Sequence, residues 1–115
     1  MVDILLRVKK DLHKDKEERR RERIVAHLIE AYRNLETAAC RQTKSKEQMD
    51  KIESSTAAIF LFGTKEAAEK TTKFGHDLEN GQASLNELLK VLRKDLRNEL
   101  GLEQHNVDTK FIRFE

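Results

Sequence analysis

The sequence predicts an all-α fold: a long projecting N-terminal helix, a small antiparallel bundle of about four helices, and a short extended C-terminal tail. Three observations lead there. The 115-residue chain contains no Pro and only four Gly, so little in it breaks a helix. It is 37% hydrophobic and 38% charged, rich in the straight-chain residues that favour helix. Leu85, Leu88, Leu89, Leu92, Leu96 and Leu100 recur at helical spacing. The length suits one domain. The hydrophobic fraction is low for a compact sphere, so either part of the chain stands outside the core or a partner covers apolar surface.

The first helix is expected over about residues 3–40. From Ile24 onward, Val25, Leu28, Tyr32, Leu35 and Ala39 form an apolar stripe, broadened by Ile29, Ala31 and Ala38. Upstream, Leu5, Val8 and Leu12 continue a thinner stripe. Between the two lies KDKEERRRER (14–23), in which all ten residues are charged, six positive and four negative. Such a run has nothing to give a core and reads as a solvated helical stalk. Opposite charges one turn apart (Asp15 with Arg19, Glu17 and Glu18 with Arg21) each add about 0.2–0.5 kcal/mol. Like charges, such as Lys16 with Arg20, remove part of it. The expected division is therefore a charged stalk over 1–23, continuous with the first helix of a bundle domain over 24–115. At 1.5 Å per residue the first helix would be roughly 55 Å long, so part of it projects or pairs with another chain.

Residues 41–45 form a polar break. Ser45 and Gln48 match a capping box, followed by Met49, Ile52, Thr56, Ile59, Phe60 and Phe62. Gly63 suits a left-handed C′ position, and Thr64 caps a third helix over about 65–79, with Glu66 in its first turn. That helix is weakly apolar (Ala67, Ala68, Thr71, Phe74, Leu78) and has Gly75 inside it. Asn80-Gly81 is a turn. Ser84 and Glu87 form a second capping-box pattern at the head of a fourth helix, 85–100, closed by Gly101. In the tail, Phe111, Ile112 and Phe114 suggest a terminal strand or an extended segment docked on the bundle. The expected core is Ile24, Leu28, Tyr32, Leu35, Ile52, Ile59, Phe62, Phe74, Leu85, Leu88, Leu92 and Leu96.

Chemistry-bearing patterns are sparse. His13, His27, His76 and His105 fall at no metal-ligand spacing, and Cys40 has no partner cysteine. That single cysteine fits a reducing compartment and the role of a small buried hydrophobe. Four scattered glycines make no phosphate loop, and Ser54-Ser55-Thr56 lies in a helical pattern rather than on a sharp elbow. A helix-turn-helix alignment on Gly63 fails, because Ile59 stands where a small residue belongs and Glu69 and Thr72 stand where apolar ones do. A ligand pocket lined by Phe60, Phe62 and Phe74 is less simple than their use as core. The net charge of +2 gives no argument for nucleic acid. No run reaches the roughly 20 apolar residues of a membrane span. Val2, Ile4, Leu5, Leu6 and Val8 nevertheless crowd together ahead of the charged run, as they would just after a membrane helix.

EAYRNLETAACR (30–41), IFLFGTKE (59–66) and SLNELLKVLRKDLRNELGL (84–102) together resemble an uncharacterised family of small bacterial proteins. Those proteins commonly carry an N-terminal membrane helix, a basic connecting helix and a cytoplasmic helical domain. The resemblance spans roughly 24–114 in this numbering. Residues 1–13 do not supply the membrane helix, and Phe60 and Lys65 stand where a polar residue and Pro fit the pattern. The family brings no activity and no functional residues. It implies that KDKEERRRER is a segment leaving the membrane on its cytoplasmic side, where basic residues accumulate.

The expectation is a non-enzymatic helical interaction or scaffold module without cofactor or metal. It would form a homodimer or higher oligomer through the first helix, and meet a protein partner of unknown identity. It would be cytoplasmic, at the inner face of the membrane when tethered. The expected interaction surface is Leu5, Val8 and Leu12 with Arg19, Arg20, Arg21 and Arg23. Antiparallel pairing of two first helices would bury the three apolar residues. The alternative is a small DNA-associated regulator of a mobile-element or antitoxin type, whose binding would weaken steeply with salt; the low net charge argues against it.

Overall fold

Helix-favouring composition without Pro carries the first helix without a break from Val2 to Ala38. The computed structural model describes residues 2–39, 45–105, 107, 110 and 112, and only the backbone of residues 2, 3 and 5–11. The elements are α1 (Val2–Ala38), α2 (Lys46–Phe62), α3 (Lys65–Glu79) and α4 (Asn86–Glu99), all helical as expected, with no strand among the described residues. The predicted break at 41–45 and Cys40 lie outside the described residues, apart from Ser45. Packing runs from α1 to α2, α2 to α3, α3 to α4, and back from α4 to α1. Glu66, early in α3, meets Lys94, late in α4, while Lys70 meets Glu87 at the head of α4; these two helices are antiparallel. The ring is thus an up-and-down four-helix bundle, and its principal extents are 65 × 28 × 25 Å.

The caps show which local signals the chain uses. Ser45 forms the full capping box: its hydroxyl accepts from the Gln48 N–H at 3.2 Å, and the Gln48 side chain accepts from the Ser45 N–H at 3.0 Å. Thr64 caps α3 by accepting from the Ala67 N–H. Gly81 and Gly101, at φ 72° and 70°, end α3 and α4 in Schellman geometry, with Gln82 N–H donating to Asp77 O and Leu102 N–H to Arg97 O.

Two cap expectations are corrected. Gly63 is not left-handed; its φ of −81° and ψ of 171° are extended. Glycine is needed there for room instead, since a Cβ would stand 2.6 Å from the Ile59 carbonyl oxygen. Nor does Ser84 build a box with Glu87. Its hydroxyl accepts from the Asn86 N–H at 3.3 Å, and the Glu87 carboxylate turns to Lys70 at 3.0 Å. A cross-helix cation outcompetes the local cap.

The core is centred on α4, which buries Leu88, Leu89, Val91, Leu92 and Leu96, joined by Leu85 just before it. Facing them are Leu28, Leu35 and Ile59, together with small residues: Ala31, Ala38, Ala39, Ala67, Ser55 and Thr71. Five expected core residues (Ile24, Tyr32, Ile52, Phe62 and Phe74) are only partly buried and pack around its edge. Met49, Phe60, Leu78 and Leu100, assigned to apolar stripes, are exposed. The chain after α4 lacks regular structure where described. Arg97 donates through Nε and Nη2 to the Glu103 carbonyl, and Gln104 Nε2 donates to the Lys94 carbonyl at 3.0 Å. This holds its first residues against α4. Phe111 and Phe114 lie outside the described residues, and Ile112 is exposed.

Candidate interaction surfaces

Among its described side chains, α1 joins the core only from Ile24. Before it, residues 12–23 are exposed without exception, because a run charged on every side has no face to bury. Leu12 is 58% exposed and Ile4 65%; the side chains of Leu5 and Val8 lie outside the described residues. Arg19, Arg20, Arg21 and Arg23 are all exposed. Their pairing differs from the spacing-based expectation. Arg20 meets Glu17 at 3.5 Å, whereas Arg21 leaves its own helix and meets Glu99 of α4 at 3.8 Å. Arg21 thus ties the root of the stalk to the bundle.

Where the stalk leaves the bundle, α1 and α4 enclose a shallow groove of about 240 Å³ with Ile24, Val25, Leu28, Phe62 and Leu96 in its lining. Charged groups, among them Arg20, Arg21, Asp95 and Glu99, share that lining. Asp95 accepts from the Thr64 hydroxyl at 2.6 Å, joining the α2–α3 turn to α4. Close by, His27 stacks on Phe62 with centroids 4.7 Å apart and planes 4° from parallel. Phe62 therefore serves as an edge of the core, and exposed Phe60 does not join it in a pocket.

A larger concavity of about 620 Å³ lies on the outer side of α4. Lys90, Arg93, Lys94 and Arg97 recur at the i, i+3, i+4, i+7 spacing that aligns one helix face, opposite the buried leucines. Glu66 and Lys70 of α3 line one side, and Gln104, His105 and Val107 of the returning chain line another. Lys94 bonds Glu66 at 2.7 Å and Lys70 bonds Glu87 at 3.0 Å. These bonds hold both carboxylates below the ordinary glutamate range and raise Lys94 above the ordinary lysine value. This stripe is absent from the expected surface because the leucines dominate the pattern of α4; the same helical spacing, read for Lys and Arg, contains it.

No group of His, Cys, Asp and Glu among the described residues is placed to hold a metal ion. No described helix is long and apolar enough to cross a membrane. No family model, curated protein or solved structure matches the chain.

Proposed function

We propose that this chain is a non-enzymatic helical interaction module that self-associates through the outer part of α1 and is membrane-tethered in its native form. The observation that carries the reading is the long first helix. It has 37 residues, yet among its described side chains none before Ile24 joins the core. Residues 12–23 are all exposed and add nothing to the core, and Ile4 and Leu12 stay in water. Pairing with a second copy would remove such residues from solvent, with Leu5 and Val8 in the same stretch, while the charged run sets register as flanking charges do in coiled coils. The resemblance to proteins with a membrane helix ahead of a basic connector supports the tether.

Light scattering at micromolar concentration tests the self-association. A dimeric or larger mass is expected, falling to the monomer when Leu5 and Leu12 are both changed to Asp. A monomeric mass for the unaltered chain overturns it. Fractionation of the chromosomally encoded product tests the tether: it should pellet with membranes and resist a high-salt wash, and recovery only in the supernatant rejects that part.

A further inference from the structure

We propose that the groove on the outer side of α4 is a docking site for a short acidic peptide segment of a partner protein. This goes beyond the self-association above; it rests on the chain being an interaction module, and does not depend on the stalk.

The argument starts from charge placement. Lys90, Arg93, Lys94 and Arg97 occupy one face over eight residues, roughly 10 Å along the axis. Lys70 adds a fifth cation across the groove, and among the described residues the only carboxylates lining it are Glu66 and Glu87. The described lining therefore carries an excess of three positive charges, in a chain whose net charge is +2. Two of the five cations spend their charge on those carboxylates. Arg97 is held by a neutral carbonyl, so its charge is uncompensated while its guanidinium is fixed in place. Arg93, in the middle of the stripe, can grip a carboxylate with two parallel N–H bonds.

The shape and the carboxylates select the partner. The groove is a concavity walled by α3 and the returning chain, and Val91 and Val107 add apolar lining; a peptide offers side chains for both kinds of surface. Glu66 and Glu87 split the positive field; a short peptide can set its carboxylates on either side of them, whereas the evenly spaced charges of a phosphate backbone cannot avoid them. The low net charge also gives little long-range attraction for such a polyanion. The stalk of a second copy is excluded by sign, since its run is itself net positive.

The test measures fluorescence anisotropy of a short labelled glutamate-rich peptide with the full chain, against its glutamine-substituted counterpart and a DNA duplex. The glutamate peptide should bind, more weakly as salt rises, and the glutamine peptide should not. Joint Lys90→Glu and Arg93→Glu should weaken binding by about tenfold or more, with the helical circular dichroism unchanged. Joint Arg19→Glu and Arg20→Glu in the stalk should leave binding intact. The proposal falls if the two peptides bind alike, if the α4 reversal has no effect, if the stalk reversal abolishes binding, or if duplex DNA binds more tightly through Lys90 and Arg93. Light scattering on the same samples separates the two ideas: a monomer that still binds the glutamate peptide keeps the groove and rejects self-association, and a dimer that does not bind it does the reverse.

Discussion

The run at 14–23 and helix α4 are both charge-rich helical segments, and they have opposite fates. The first is charged at all ten positions and stands in water. The second is charged at seven of its 14 residues and organises the whole core. The difference is periodicity. In α4 the charges and leucines sort onto opposite faces, so one helix presents both a buried stripe and a cationic one. In 14–23 no rotation about the axis yields an apolar face. Helix propensity makes both segments helical, but burial follows only from the arrangement of side chains around the axis.

Mutations can break that contrast, and the largest effect belongs to α4. Leu92 is 1% exposed, and Leu92→Ala should cost about 2–5 kcal/mol through lost burial and the cavity left behind. Urea denaturation measures it; a loss under 1 kcal/mol, by the same reasoning, would mean α4 is not the centre of the core. Next comes the tight corner between α2 and α3. Gly63→Ala puts a methyl group into the Ile59 carbonyl and should destabilise by about 1–3 kcal/mol, read as a lower midpoint in the same titration. A midpoint at or above that of the unaltered chain would show that the corner has space.

Ser55 runs in the other direction. It is 2% exposed, and its hydroxyl has no hydrogen-bond partner among the described residues. Removing an unsatisfied buried hydroxyl should help, so Ser55→Ala is expected to stabilise by about 1 kcal/mol. A clear destabilisation would reveal a partner for that oxygen.

A subtler contrast lies in pH. Bonding to Lys94 and Lys70 lowers the folded-state values of Glu66 and Glu87 below the ordinary 4.5. Their contribution to stability is therefore present above 4.5 and is lost as pH falls through the lower folded-state values. Lys94 is raised above 10.5, so its share is complete below 10.5 and is lost only at still higher pH. The advantage of the unaltered chain over a Glu66→Gln, Glu87→Gln double variant should thus be constant near neutrality and vanish in acid. Denaturation midpoints across that range check it, and a difference that persists at low pH would mean these bonds do not act. The smallest effect belongs to the stalk: Arg19→Ala should change bundle stability by no more than about 0.5 kcal/mol.

The helices, the stalk and most caps were legible in the sequence, because each rests on residues close along the chain. Absence of Pro, the stripe on α4, Ser45 with Gln48 and Gly101 are all signals of that kind. The sequence placed Leu88, Leu92 and Leu96 of α4 in the core but left out Leu89 and Val91, which are buried there too, and it overestimated the aromatics: Tyr32, Phe62 and Phe74 ended at the edge of the core. Tertiary structure alone decided that helices this closely packed need Ala31, Ala38, Ala39 and Ala67 at their centre, where a larger side chain would hold them apart. It also decided the partners of long-range charges. Arg21 chose Glu99 over its own turn, and Glu87 chose Lys70 over the cap of its own helix. Spacing along one helix shows which charges are within reach; only the packing of a second helix shows which opposite charge lies nearer.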